Sequence, residues 1–333
     1  MVATAQFDIP VKTRPPIFIP ARSVPALTAA ESAANITVRG RGLALSFDRV
    51  RGVIDSFECG GKNMLCPGPR LNFWRAPTDN DSGGGRGKRA GEWYAAGLHW
   101  LQHRTDSVSV TPLAHHAVRI DVVSRIAPPV HAHGFLCRYT YVIHGNGWLD
   151  MHLRAAPEGK WPCPSLPRIG LQMAIPSALD QIQWFGRGPG ESYSDSCEAT
   201  RIDLFKTSVD GLLTPYVKPQ ENGNRMDVRW LTLRNRQGAG WMAVGRPTIN
   251  FSAHRFTTND FTQTRNHADL VPRDFITLNL DHRQRGLGSA SCGPDVLPPY
   301  DLKPEPFAFS VRLIPLKSLR DNPLELVKLD IRG

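Results

Sequence analysis

The sequence has no long apolar run and no paired cysteine motif. Its apolar runs stay well short of the ~18 residues of a membrane span, and no charged segment followed by an apolar stretch opens the chain. Six cysteines occur, none in a C-x-x-C pair or with the spacing of zinc ligands. We therefore expect no membrane partner and no secretory signal. Free thiols favour a cytoplasmic location.

Acidic residues are also in deficit. Lys and Arg number 40 against 30 Asp and Glu, a formal net charge of +10. Such an excess raises the question of nucleic-acid binding. The densest basic clusters, residues 39–41 and 86–89, are short and lie in turn-like sequence with no nucleic-acid module around them. We expect a solvated basic surface and no nucleic-acid partner.

Helical periodicity is scarce, and residues 91–97 and 324–329 are its short candidates. Period-two alternation separated by turn residues dominates instead, as in residues 35–39. Strands are not interleaved with helices as a parallel α/β sheet requires. The sequence predicts a proline-rich leader over residues 1–26, followed over residues 27–333 by one large all-β, antiparallel sandwich.

Two polar segments stand out, residues 71–81 and 214–231. Each joins an aromatic anchor to a turn rich in carboxylates, amides and arginine, which is how a rigid sheet presents a polar loop to a polar ligand. Residues 79–85 have Gly83 where an EF-hand has its third ligand and Ala90 where it has its glutamate, so the calcium-loop pattern fails. An Asx turn leading into a glycine loop is the expected structure there.

Carboxylate pairs are a second kind of candidate. Glu191 with Asp195, or Glu221 with Asp227, would serve glycoside hydrolysis if the two carboxyl groups lay about 5–5.5 Å apart, as in a retaining enzyme. Proximity in sequence does not establish that geometry, and neighbouring turn carboxylates are usually solvated. Cys292 as a nucleophile is a further alternative, although most such cysteines are simply buried.

Several of these segments together resemble one family. Phe73-Trp-Arg-Ala-Pro-Thr-Asp-Asn-Asp81 is similar to its F-W-R-A-P-T-D-N-D signature, and residues 188–195 to its G-P-x-E-x-Y-x-D segment. Residues 216–225 resemble its Y-V-x-P-Q-E-N-G-x-R, and residues 286–294 its C-terminal pattern. The family is the small chain, or C-terminal domain, of the lac-type β-galactosidases of glycoside hydrolase family 2. The resemblance runs from about residue 27 to about residue 316.

The resemblance implies a β-supersandwich of the galactose mutarotase-like type. It places the nucleophile and the acid/base glutamates in a separate TIM-barrel chain or domain, so this chain is expected to carry no catalytic residue. It implies no cofactor here, since Mg and Na belong to the family's catalytic chain. The expected partners are that catalytic large chain and a β-galactoside sugar. Residues 3–9 look like the last strand of the immunoglobulin-like domain that normally precedes this one.

By the same resemblance, loops of this chain complete the sugar pocket. The segment from Arg75 to Asp81 matches a family loop that lies beside the active site and adjusts when sugar binds. Cys292 stands where the best-known members carry a tryptophan that stacks on sugar outside the galactose site, which puts such stacking in doubt. The candidate pocket residues are Arg75, Asp79, Asn80, Asp81, Glu221, Asn222, His267 and Cys292.

The leading hypothesis is a small chain that completes the galactoside pocket for hydrolysis of terminal β-D-galactosides such as lactose. Alone it would be inactive, because it lacks the two carboxylates of the mechanism. A stand-alone carbohydrate-binding module and a fragment of a longer β-galactosidase remain alternatives. So does a mutarotase-like aldose isomerase that uses His267 or His282 with Glu221 or Asp281 as acid and base.

Overall fold

The computed structural model describes residues 5–7, 9, 15–66, 68–83, 89–288 and 295–332. These residues form nineteen strands and four short α-helices. The strands are β1 Ile17–Pro20, β2 Leu27–Glu31, β3 Asn35–Gly40, β4 Leu43–Asp48, β5 Val53–Cys59, β6 Lys62–Asn63, β7 Arg70–Asn72, β8 Gln102–Ala114, β9 Ala117–Ala127, β10 Gly134–His144, β11 Leu149–Glu158, β12 Arg168–Pro176, β13 Gln181–Gly188, β14 Arg201–Ser208, β15 Arg225–Arg234, β16 Gly240–His254, β17 Phe275–Gln284, β18 Phe307–Leu316 and β19 Leu329–Arg332. The helices are α1 Asp79–Ser82, α2 Arg89–Ala95, α3 Thr258–Gln263 and α4 Pro323–Leu326.

Two antiparallel sheets contain most of the strands. The larger has twelve strands, with the order β14-β13-β15-β16-β18-β11-β10-β9-β8, and with β12, β17 and β7 joined off that path. The smaller has five, in the order β2-β3-β4-β5-β6. Buried aromatic side chains join the two: Phe47 of β4 meets Tyr141 of β10 with ring centroids 5.4 Å apart, and Phe57 of β5 meets Trp241 of β16 at 5.0 Å. The prediction of an all-β antiparallel architecture is confirmed.

Alternating strands were predicted well, and edge strands were not. The strand predicted at residues 35–39 is β3, which forms a hairpin with β4 through a turn that uses Gly42 at φ 69°, a conformation that favours glycine. The edge strands β8 and β14 were not predicted. All of their side chains are half-buried or exposed, so the alternation is weak, and in β8 Val108 and Val110 mark the face that packs on the core.

The helix predictions had mixed outcomes. Residues 91–97 correspond to α2, but only the start of 324–329 is helical, since α4 ends at Leu326 and β19 begins at Leu329. The Asx turn expected at Asp79 is wrong: Thr78 caps α1 with its side chain, and a reciprocal capping box makes a helical turn. None of the helices in the described ranges has the length and apolar character to cross a membrane.

The leader contributes one strand to the structure. β1 pairs in parallel with β19, which ties residues 17–20 to the end of the chain. The boundary placed at residue 27 stays a prediction, as does the likeness of residues 3–9 to a preceding domain. Most of the latter segment lies outside the described residues.

Candidate functional site

The first polar loop leaves β7 from a firmly packed aromatic anchor. Phe73 is buried and stacks on Phe135, with ring centroids 4.5 Å apart and planes 4° from parallel. Strand β7 itself is held by β12. The rigid sheet therefore sets where the following residues, 74–81, leave the core.

Arg75 and Asp81 form a fully buried ion pair within this loop. Both side chains are 0% exposed; Arg75 Nη2 lies 2.8 Å and 3.0 Å from the two Asp81 oxygens, and its Nε lies 3.2 Å from Oδ2. The Thr78 N–H also donates to Asp81, at 2.9 Å. Arg75 donates further to the carbonyl oxygens of Arg285 at 2.6 Å and Gly286 at 3.1 Å. One buried arginine thus fastens the loop to a segment about two hundred residues away.

The second polar segment joins the first through its backbone and through an amide–carboxylate pair. Glu221 N–H donates to the carbonyl of Ala76 at 3.1 Å. The Gln220 side chain accepts from Asp79 N–H and donates to Asp79 Oδ2, both at 3.0 Å. Asn80 donates to the carbonyl of Leu287 at 2.9 Å. We call residues 75–81, 220–224 and 285–288 the rim.

Beneath the rim lies a buried polar cluster in which the cation of Arg168 faces the carboxylates of Glu221 and Asp281. Arg168 donates to Glu221 and to Asp281, each at 3.0 Å. Gln284 donates to Asp281 at 3.0 Å, and the Tyr193 hydroxyl lies 3.5 Å from Glu221. Burial, with Glu221 nearby, raises the pKa of Asp281 to about 7 despite Arg168. Near neutral pH the Asp281 carboxyl is therefore only partly ionised.

Glu191 and Asp195 are occupied in holding loops together. Glu191 accepts from the Thr214 hydroxyl at 2.9 Å, from Gly223 N–H at 2.8 Å and from the Tyr216 hydroxyl. Asp195 accepts from the N–H of Gly288 at 2.7 Å. The two carboxylates are half-buried and bonded to neighbouring loops, whereas turn carboxylates of this kind were expected to be solvated.

Asn222 holds the second polar segment together through hydrogen bonds between its side chain and the backbone of the segment. It is buried, accepts from Thr214 N–H at 3.1 Å and donates to the carbonyl of Gln220 at 2.9 Å. Its own carbonyl lies 3.1 Å from His254 Nε2. Burial lowers the pKa of His254 to about 4, so this imidazole is neutral at pH 7. His254 is a site neighbour that no local sequence motif indicated.

The histidines of the isomerase alternative are not paired with its carboxylates in this structure. Asp281 and His282 are consecutive in β17, where the register with β12 shifts and leaves His282 without a partner in that pairing. His282 stacks on Phe309 at 5.3 Å, whereas Asp281 lies in the buried cluster. His267 is on an exposed turn, where its N–H donates to the carbonyl of Val217 at 2.9 Å. The structure separates His282 from Asp281, which corrects that pairing.

A comparison with protein families settles the affiliation. The family model described as the β-galactosidase small chain matches residues 39–313. The chain belongs to this family. The β-galactosidase of Priestia megaterium is 33% identical over 86% of this small-chain sequence and 27% of the relative. That of Arthrobacter sp. strain B7 is 34% identical over 74% and 26%, and that of Kluyveromyces lactis 28% over 94% and 30%.

The small-chain sequence thus spans between 26% and 30% of the length of these curated relatives. Among solved structures, it is similar to galactose 1-epimerase from Lactobacillus acidophilus NCFM. That likeness has a TM-score of 0.45 at 12% identity, and covers 89% of this chain and 99% of the other. A similarity of this size says nothing about activity.

Within the small-chain domain, six of the eight sequence-predicted pocket residues meet in the rim. Four of them are buried, namely Arg75, Asp81, Glu221 and Asn222, so their first role is to hold the rim together. Asp79 is exposed and Asn80 half-buried, so these two can reach a ligand. His267 lies on its own exposed turn, and Cys292 lies outside the described residues.

Sequence reasoning missed several residues that complete the rim. Gln220 was within the recognised motif, but its partner Asp79 lies 141 residues away and no local signal joined the two. Arg168, Gln284 and Arg285 likewise had no local signal, because their links to Glu221 and to Arg75 span 53 to 210 residues. In the parts of the chain that the structure describes, no group of three or more His, Cys, Asp or Glu side chains is placed to hold a metal ion.

Proposed function

We propose that this chain completes the galactoside pocket of a β-galactosidase whose catalytic glutamates lie on a separate TIM-barrel chain. The substrates would be terminal β-D-galactosides such as lactose. The observation that carries the proposal is the rim, in which three distant segments are locked by the buried Arg75–Asp81 pair and still expose Asp79 and half-expose Asn80. Because the chain belongs to the β-galactosidase small-chain family, we expect the rim to lie at the sugar pocket.

The hydrogen bonds within the rim suit a role in positioning a bound sugar. A group that orients a sugar must be held by packing and by supporting hydrogen bonds, because misplaced contacts lose most of their value. Gln220 holds the Asp79 carboxylate through two hydrogen bonds, and Leu287 holds the Asn80 amide. Carboxylate and amide groups are suitable partners for sugar hydroxyls, since a hydroxyl both donates and accepts.

The surface beside the rim supports a protein partner. Tyr216 and Val217 are exposed, and the main-chain bond from His267 to Val217 joins their loop to the turn that leads to the exposed Val271. Contiguous exposed apolar side chains next to polar ones are typical of protein interfaces. A catalytic chain docked there would lie against the loop that carries Glu221 and Asn222.

Reconstitution with the catalytic chain tests the proposal. The purified chain should not hydrolyse a chromogenic β-galactoside, and mixing it with a TIM-barrel catalytic chain of a β-galactosidase should give activity. Asp79→Ala should lower kcat/KM of the mixture by about 10- to 100-fold, the effect of losing a hydrogen bond to a charged group. Glu31→Ala, a surface acid far along the chain in β2, is the matched control. Hydrolysis by this chain alone, or full activity of Asp79→Ala, would contradict the proposal.

A further inference from the structure

A second groove lies next to the rim but is built from different side chains. It has a volume of about 420 Å³ and is lined by Trp74, Tyr94 and Trp100 together with residues of β12 and α3. Trp74 lines it, whereas the next residue, Arg75, is buried in the rim. Its volume is within the range of about 300–1,000 Å³ that is usual for small-molecule sites.

The aromatic side chains form a connected wall with accessible ring faces. Trp74 and Tyr94 have ring centroids 5.1 Å apart, Tyr94 and His99 4.8 Å, and His99 and Trp100 4.8 Å. Trp100 is 66% exposed and Tyr94 40% exposed. A tryptophan that leaves so much of its ring in water gains free energy when an apolar ligand face covers it.

Amide side chains face this wall. Asn259 and Gln263 are four residues apart in α3, so they lie on the same side of the helix, and both line the groove. Gln172 of β12 also lines it and donates to Thr258 at 3.2 Å and to Asn279 at 3.0 Å. Amides both donate and accept hydrogen bonds, as hydroxyl-rich ligands require.

The lining of this groove is uncharged. Among the described residues that line it there is no Asp, Glu, Lys or Arg, although the chain carries a net charge of +10. Its two histidines are neutral at pH 7, because burial lowers the pKa of His99 and, with Arg70 nearby, lowers that of His103 to about 4. A phosphate, a carboxylate ligand or a charged peptide would find no charged side chain in the groove itself. A neutral, hydroxyl-rich ligand with an apolar face matches this lining of aromatic and amide side chains.

We propose that this groove is a second saccharide site, which binds a neutral oligosaccharide by stacking it on Trp100 and Tyr94 and by hydrogen bonds to Gln172, Asn259 and Gln263. An adjoining cavity of about 370 Å³ shares Leu71 and Gln172 with it and adds Arg51 and Arg70 to the lining. The groove therefore continues beyond the length of one sugar ring, and its uncharged lining ends where this cavity begins. No rim side chain lines the groove. The site is therefore independent of the pocket in the proposed function.

Titration calorimetry and tryptophan fluorescence of the full chain, without any catalytic chain, test this site. The probes are galactose, lactose and a β-1,4-linked galactotetraose. We expect the tetraose to bind best, with a Kd of about 1 mM or tighter. Trp100→Ala should weaken binding by about tenfold or more, because truncating a central aromatic anchor removes much of a site's binding energy. Trp100→Phe should keep most of it, and Gln263→Ala should weaken it as well.

Phe7→Ala removes an even more exposed aromatic side chain outside the groove and should leave binding unchanged. Because Trp100 is mostly exposed, its replacement should leave the melting temperature near that of the wild type. The proposal is overturned if no probe binds at about 10 mM, or if Trp100→Ala binds as the wild type does. It is also overturned if the catalytic chain abolishes binding by covering the groove. These readouts use binding rather than hydrolysis, so they fail independently of the rim experiment.

Discussion

Replacing Asp81 with alanine should destabilise the chain far more than any surface carboxylate replacement. The change leaves Arg75 buried, with only the carbonyl oxygens of Arg285 and Gly286 as acceptors. It also removes the acceptor for Thr78 N–H at the start of α1. An arginine at 0% exposure has no water to replace the carboxylate.

The size of the effect follows from these contacts. Breaking one side of a buried ion pair costs about 3–5 kcal/mol, and losing a helix cap contact about 1 kcal/mol more. At about 2.1 cal/mol/K per residue, a chain of 333 residues has an unfolding entropy of about 0.7 kcal/mol/K. The loss of about 4–6 kcal/mol therefore lowers the melting temperature by about 6–9 °C.

Calorimetric melting of Asp81→Ala beside Glu31→Ala tests this reasoning. Glu31 forms an ion pair with Arg49 at 2.6 Å, but the two side chains are 49% and 28% exposed, so its removal should shift the melting temperature by at most about 1.5 °C. The double replacement Arg75→Met with Asp81→Leu should recover much of the loss, since it removes both buried charges. Equal shifts of the melting temperature for Asp81→Ala and Glu31→Ala would refute the assignment of Arg75–Asp81 as a buried, stabilising ion pair.

Three further predictions concern the buried cluster and the thiols. Gly170→Ala should lower the melting temperature by several degrees, because a Cβ there would lie 1.8 Å from Asp281 Oδ1. A Cβ at Gly190 meets nothing within 4 Å, so Gly190→Ala should leave the melting temperature unchanged. Equal melting temperatures for the two variants would contradict the close contact. Because the folded-state pKa of Asp281 is raised from 3.8 to about 7, the folded chain holds this proton more tightly. The free energy of unfolding should therefore fall as the pH rises from about 4 to 7, by up to about 1.4 kcal/mol per pH unit from this group. In urea melts of Asp281→Asn across that range, this contribution to the pH dependence should be missing. An unchanged slope of stability against pH would rule out the contribution of Asp281. Burial raises the thiol pKa of both Cys137 and Cys197, but Cys137 is buried whereas Cys197 is half-buried. Iodoacetamide should therefore label Cys137 only after denaturation and Cys197 in the native chain, as peptide mass spectrometry would show. Native labelling of Cys137 would contradict its burial.

Much of the fold was predictable because burial on one face leaves a period of two in the sequence. β10 shows it: Tyr139, Tyr141 and Ile143 are all buried, and the residues between them are less so. Where neither face is strongly buried, as in β8, the alternation is short and its apolar residues are few. Helix α1 was missed because Asp79 and its neighbours also suit a turn, and the capping box formed by Thr78 and Asp81 decides between the two.

The candidate site was predictable only in part. The two recognised motifs contain Arg75, Asp79, Asn80 and Asp81 in one loop and Glu221 and Asn222 in the other, and the structure joins them through Gln220 and Ala76. The aromatic groove was not predicted at all. Its wall comes from residues 74, 94 and 100, but its amides come from β12 and α3, and no spacing along the chain relates these segments.

The sequence by itself determined the family, the all-β class and the segments that carry polar loops, because side-chain alternation and contiguous motifs are local properties of the chain. The tertiary structure decided which of those polar residues are buried supports and which are accessible. Arg75 and Asp79 are four positions apart, yet one is enclosed between Asp81 and two distant carbonyl groups while the other is exposed at the rim. That difference arises from strand pairing over more than a hundred residues, since only the folded sheet brings a counter-charge or a covering segment to one side chain and not to its neighbour.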